Sequence, residues 1–316
     1  IKFVFYNDDQ IKKSNDDIAQ SLLDIVQASI ANNNELQGFD YLLFYLSLSL
    51  NLNPKFNESF FITAQLYQMM KNYEKAEKFY NKVHKDHNLY LESQKNIAIN
   101  KKHQNNTKKA EEELISLIDL YPSNENLFVS LADFYKSTKQ YKRAIPYYSI
   151  VLNNQDLDED QRWRLLYMRG ICYERINNWK SAEEDLLKSL DINPESPQVL
   201  NYLAYSWIEK NVFLNESLKM LKKAYEKNPK SHYILDSLAW AHFKKNNLKI
   251  ASQLMEEVII RAPAEAISLD HLGDIYFAMG RRREALYMWR QAKDLAEPED
   301  NIIDKILIKL DKHNAG

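Results

Sequence analysis

The chain has 316 residues, 45% of them hydrophobic, with 44 acidic against 42 basic side chains and a formal charge of -2. Five glycines are too few for folds that depend on positive-φ turns or phosphate-cradling loops, which excludes sandwiches, barrels and dinucleotide-binding domains. The balanced charge offers no global attraction to nucleic acid or an anionic membrane, while 20 Tyr, 13 Phe and 5 Trp supply ample surface to bury, so an all-α protein is expected.

In chain order, helical patterning runs over Asp17–Ala31 and Leu36–Leu50 and stops at Pro54; residues 1–56 form a degenerate first region. "SLSLNLN" alternates like a strand, but its place just before a proline makes it the end of a helix. From Asn57 a signature of small and bulky residues begins: Ala64, Tyr67, Ala76 and Tyr80. It returns from Leu91 as Ala98, Lys101, Ala110 and Leu114, closed by Pro122, and from Glu125 as Ala132, Tyr135, Ala144 and Tyr148. These repeats make up 57–162. A better-matched set fills 163–299: Gly170, Tyr173, Ala182, Leu186 and Pro194 from Trp163; Ala239, His242, Ala251, Met255 and Pro263 from His232; Gly273, Tyr276, Ala285 and Trp289 from Ala266. About four extra residues at Asp158–Arg162 and one before Ser217 are assigned to loops. Over 300–316, Ile302, Ile303, Ile306, Leu307 and Leu310 fall on one helical face, which suits a terminal cap.

The prolines set the period: Pro194, Pro229, Pro263 and Pro298 lie 35, 34 and 35 apart, and Pro54 and Pro122 lie 68 apart. A period of about 34 residues with a closing proline and paired small residues resembles the tetratricopeptide repeat. The small residues let two helices cross closely while large neighbours fill the holes beside them. The resemblance implies a right-handed α-solenoid of about eight helix pairs with a C-terminal capping helix. It further implies a concave surface lined by the first helix of each repeat, at repeat positions 2, 5, 9 and 12. Positions 5 and 9 select Tyr167, Asn201, Tyr205, Asp236, Trp240, Asp270 and Asp274 as partner-binding residues, with Ile171 among them. Position 12 adds Glu174, Ile208, Phe243 and Phe277. The expected groove is therefore apolar with an acidic margin toward the carboxyl end, suited to a protein or peptide partner.

Catalytic constellations are missing from the sequence, and neither enzyme activity nor a cofactor or metal is expected. His84 and His87 in "HKDH" read as a solvated turn near the end of a second helix, and Cys172 as a structural thiol in a helical run. His242 reads as a half-buried interface histidine and His271 as the more exposed of the two. Arg281, Arg282 and Arg283 fall in a solvated turn between the last two helices of the repeats. Lys95 and Asn96 begin the basic clamp with which cytosolic co-chaperones of the repeat family hold a carboxyl-terminal peptide. Asn126, Ser130, Arg164 and Met168 stand where its remaining residues should be. No apolar run reaches the length of a membrane span, about 18 residues.

From Trp163 to Leu295 the chain reads "WRLLYMRGICYERINNWKSAEEDLLKSLDINP", "LNYLAYSWIEK", "YILDSLAWAHFKKN" and "DHLGDIYFAMGRRREALYMWRQA". This resembles exported proteobacterial tetratricopeptide proteins related to outer-membrane lipoprotein adaptors of carboxyl-terminal processing proteases, although Ala204 and Ala239 stand where that group commonly has Gly. The likeness implies a periplasmic or outer-membrane-associated adaptor whose partner is an envelope protease or its substrates, with further repeats ahead of Ile1–Phe5. The competing expectation is a cytoplasmic co-chaperone or assembly factor.

Overall fold

The computed structural model describes residues 8–32 and 38–313, and among them the backbone forms α-helices, one 3-10 turn and no strand. The chain divides into two compact units, Ile1–Val151 and Leu152–Gly316. The first is built from α1 (Asp8–Asn32), α2 (Phe39–Leu52), α3 (Asn57–Met69), α4 (Tyr73–Tyr80), α5 (Tyr90–His103), α6 (Thr107–Leu120), α7 (Glu125–Ser137) and α8 (Tyr141–Leu152). The second is built from α9 (Glu159–Arg175), α10 (Trp179–Ile192), α11 (Pro197–Glu209), α12 (Leu214–Lys227), α13 (His232–Lys244), α14 (Leu248–Arg261), α15 (Ala266–Ala278), α16 (Arg282–Leu295) and α17 (Ile303–His313). Eight helix pairs and a last helix match the expected all-α solenoid architecture. Ile1–Phe5 and the tail 314–316 lie outside the described residues, as does the expected helix start at Leu36.

The pairs close where the small residues are. Ala64, Ala76, Ala98, Ala110, Ala132, Ala144, Ala182, Ala239, Ala251 and Ala285 have no exposed surface, and each pair is filled from the side by Tyr80, Leu114, Tyr148, Leu186, Met255 or Trp289. In the last pair even alanine is too large at the first position: a Cβ on Gly273 would lie 2.4 Å from Trp289 Cδ1. Helix-to-helix turns share one backbone device. Lys71, Asn105, Lys139, Asn177, Asn211 and Asn246 all have φ between 55° and 62°, and Gly280 takes the same place with φ 79°. Each is the fifteenth residue of its repeat, so a chain short of glycine relies here on asparagine, which tolerates the left-handed region better than most residues. The next residue caps the second helix: Asn72, Asn106 and Asn178 accept from the backbone amides of Lys75, Lys109 and Ser181. Prolines fall two residues past the ends of α2, α6, α10, α12 and α14, where the helix has already stopped.

One expectation is corrected. The four extra residues at Asp158–Arg162 extend α9 by a turn instead of forming a loop. Asp158 accepts from Gln161 N at 3.2 Å, Glu159 and Asp160 complement the positive end of the helix, and Arg162 reaches back to the carbonyls of Leu152 and Asn154. His84 and His87 occupy the turn that follows α4, which stops at Tyr80, as expected. The single extra residue before Ser217 is in a turn as expected, with Phe213 left-handed at φ 50°. The last helix packs Ile306 and Leu310 into the cluster of Trp289, Ala292 and Tyr276. No described helix is long and apolar enough to cross a membrane.

Candidate functional site: a groove on the first helices of the second unit

The first helices of the second unit, α9, α11, α13 and α15, are tied to one another by a recurring contact. The residue at repeat position 5 meets the residue at position 6 of the next repeat. Tyr167 meets Tyr202 edge-on, ring centres 5.9 Å apart. Asp236 accepts from His271 Nδ1 at 3.1 Å, and Asp270 accepts from Lys309 Nζ at 2.7 Å, the capping helix α17 supplying the lysine where a further repeat would stand. Lys309 also lies 2.7 Å from Asp274, whose carboxylate accepts from Trp289 Nε1 at 3.0 Å. The expected acidic margin is therefore neutralised from within the chain.

One rung is missing. Asn201 at position 5 should meet Ser237, but the Ser237 hydroxyl donates to Tyr233 O on its own helix, and Asn201 Oδ1 is enclosed without a partner. At this break a pocket of about 250 Å³ opens across α11, α13 and α15. Tyr202, Tyr205 and Tyr233 form its aromatic walls, and Asn201, Asp236, Glu265 and His271 its polar lining. Burial pushes the Tyr202 and Tyr205 hydroxyls up, with Glu174 beside the first and Glu209 beside the second adding to the effect, so both remain neutral phenols.

Of the seven predicted site residues, the structure brings together Asn201, Tyr205 and Asp236 in this pocket. It does not bring in the rest as free binding groups. Trp240 is buried against His271, ring centres 4.0 Å apart, and donates to Glu209 at 2.7 Å. Asp270 is buried under Lys309, Asp274 is held by Lys309 and Trp289, and Tyr167 packs on Tyr202. Even Asp236 is buried by its rung to His271. Packing between successive first helices takes what a single-repeat register assigns to solvent. His271, expected to be the more exposed histidine, is buried for the same reason. Burial alone would push its imidazole down, but the hydrogen bond and charge of Asp236, with Asp270 and Asp274 nearby, hold it above its ordinary range. Burial pushes the Asp270 carboxyl up against the pull of Lys309. Position 6, which contributes Tyr202 and His271, was the missed signal; its aromatic character was visible in "LNYLAY" and "LDHLGD".

Other singled-out residues are accounted for by local contacts. His84 Nδ1 accepts from Asp86 N, while His87 faces Glu58, and among the described residues no three His, Cys, Asp or Glu are placed to hold a metal. Cys172 is buried in the helix core. Arg281 lies 3.8 Å from the Tyr276 ring centre and pairs with Glu284 and Glu256, so it is a structural link and not a free solvated base. In the first unit Lys95 and Asn96 line a second groove with Lys102, Ser130 and Asp133, but Lys95 pairs with Glu92 at 2.6 Å and Lys102 donates to Ser137.

Family models of the tetratricopeptide repeat match residues 58–87 and 266–297. A TPR repeat-containing protein of Methanocaldococcus jannaschii is 26% identical over 212 residues, which are 66% of this chain and 32% of that one. The chain thus spans about a third of that relative's length. A solved tetratricopeptide repeat protein from Parabacteroides merdae superposes with a TM-score of 0.61 at 17% identity, covering 79% of this chain and 97% of its own. A chain of the APC/C hetero-tetramer Cut9–Hcn1 gives a TM-score of 0.62 at 13% identity, covering 96% of this chain and 60% of its own. At such identities the likeness is one of fold. The repeat register, the paired helices and these matches agree on an α-solenoid of the tetratricopeptide type, in which residues 58–87 and 266–297 match models of the repeat directly.

Proposed function

We propose that the protein is a non-catalytic scaffold that binds a segment of a protein partner along the first helices of its second unit. The observation that carries this reading is the pocket at the missing rung, where three tyrosines and the unpaired Asn201 Oδ1 share one lining across α11, α13 and α15. Rigid aromatic walls bury large area at small entropic cost, and fixed polar groups set the register of a bound chain. No residue here pairs a nucleophile with a base, so recognition is the chemistry the groove supports. The finer proposal, an envelope adaptor for a carboxyl-terminal processing protease or its substrates, rests on the resemblance of residues 163–295 to exported proteobacterial repeat proteins.

A photoreactive side chain in place of Tyr233, which is 60% exposed, tests both levels. Cell-envelope and cytosolic extracts are crosslinked with this variant, with Glu265→Lys as the groove-blocked control. Asp236 is unsuitable as a control because its loss would break the buried rung to His271. Capture of an envelope protease or its substrates, lost in Glu265→Lys, supports the adaptor reading. Capture of chaperones from cytosol alone favours a cytoplasmic co-chaperone, and crosslinking indifferent to Glu265→Lys removes the groove from consideration.

A further inference from the structure

We infer that the pocket at the missing rung holds the guanidinium of an arginine side chain presented by the partner. The inference rests on the groove reading above and deepens it. Elsewhere in the stack each position-5 group meets its successor, and where the group is an acid the successor is a basic side chain, His271 for Asp236 and Lys309 for Asp270. At Asn201 the stack supplies no such donor, and its Oδ1 is enclosed and unpaired. An enclosed acceptor without a donor is costly, and an entering N–H relieves that cost once the carboxamide turns about its soft terminal torsion. Glu265, which lines the same pocket, precedes α15 with no side-chain cap bond and no ion-pair partner among the described residues. Tyr202, Tyr205 and Tyr233 line the pocket with these acceptors. Aromatic faces flanking an amide oxygen and a carboxylate suit a flat cation with several divergent donors. Guanidinium meets that description, whereas an ammonium is compact, strongly hydrated and without a face to stack. The pocket thus offers, to a residue from outside, the kind of pairing with a basic side chain that the chain makes internally at Asp236 and Asp270.

The test titrates the 316-residue chain, its tyrosine ring resonances followed by NMR, with the blocked peptides Ac-Ser-Gly-Xaa-Gly-Ser-NH2, where Xaa is arginine, its neutral isostere citrulline, alanine or glutamate. The arginine peptide should shift Tyr205 and Tyr233 saturably and bind about tenfold more tightly than the citrulline peptide, the loss expected for charge-assisted hydrogen bonds. Asn201→Asp, which installs the residue already used at 236 and 270, should tighten arginine binding by roughly threefold or more through the added charge. Equal binding of arginine and citrulline, or an Asn201→Asp variant that folds yet binds arginine no better, overturns the inference. Shifts caused by the alanine or glutamate peptide and not by arginine would overturn the arginine assignment and leave the peptide groove standing. Silence of these tyrosines toward all four peptides would bring down the groove as well.

Discussion

His271 acquires Asp236 as a partner only when α13 and α15 stack, and its imidazole is held above the ordinary value of 6.5. A histidine with a raised folded-state pKa contributes stability that is complete below 6.5 and is lost as pH rises through the folded value. Thermal unfolding of the second unit should therefore move to lower temperature as pH rises above 6.5, and His271→Gln should flatten that dependence. His242 works in the other direction and in another window. Burial, with Lys222 and Lys245 close by, holds it below 6.5, so its contribution is lost on acidification. A pH-independent melting point above 6.5 in the parent chain would contradict the rung. Asn100 offers a simpler experiment. It is 1% exposed with both carboxamide atoms unpaired, at the tenth position of its repeat, where Cys172, Ala241 and Ile275 fill core space. Asn100→Leu should stabilise the first unit against urea by about 1–3 kcal/mol, the cost of an unsatisfied buried amide. These partners were hidden in the sequence because they join residues 35 and 39 apart, one repeat onward, whereas a pattern scan compares equivalent positions and not neighbours.

Helices and turns were far more legible. Small residues at positions 8 and 20 and a large one at 24 located the crossings from Asn57 onward, and the packing keeps them buried there. The closeness of the fit varies from pair to pair, and Gly273 is the tightest. Gly273→Ala should lower the unfolding free energy of the second unit by about 1–3 kcal/mol, because the indole of Trp289 is locked by Asp274 and has nowhere to retreat. Gly170→Ala should cost less, since its nearest neighbours, Leu186 Cγ at 3.1 Å and Ala182 O at 3.3 Å, leave more room. Equal losses in the two variants, measured by chemical denaturation, would contradict the packing. The misassigned insertion at Asp158 shows where counting runs out. Four additional residues break the period equally well as a loop or as one more helical turn. The deciding information was local, a capping aspartate followed by two acids that favour a helix start.

For the chain as a whole, stability in stacked repeats is distributed over neighbouring interfaces, so an end that lacks a neighbour must be covered. α17 covers the last one with Ile306 and Leu310 and also supplies the cation for Asp270 and Asp274. Deleting residues 298–316 should therefore lower the thermal midpoint of the second unit and raise dye binding to exposed apolar surface. The variant Lys309→Met, which keeps the stem and removes the charge, should give only part of that loss. A deletion no more harmful than Lys309→Met would assign the work of α17 to charge alone. The candidate groove was partly visible from the repeat register: Asn201, Tyr205 and Asp236 were found, but the pocket itself arises from a rung that fails to form, and an absence of pairing has no sequence motif.

The rungs bear on assembly as well as binding. Tyrosine on tyrosine, aspartate on histidine and aspartate on lysine are three different pairings at equivalent places in the second unit. Similar helical hairpins in tandem are prone to docking on the wrong neighbour or exchanging with another copy of the chain. A repeat that skipped its neighbour here would set Tyr167 against Ser237, or Asn201 against His271 with Asp236 left without its imidazole. The unlike pairings thus act as addresses that fix the order of the modules during folding, so that transplanting one repeat into another's place should need both halves of its rung to travel with it.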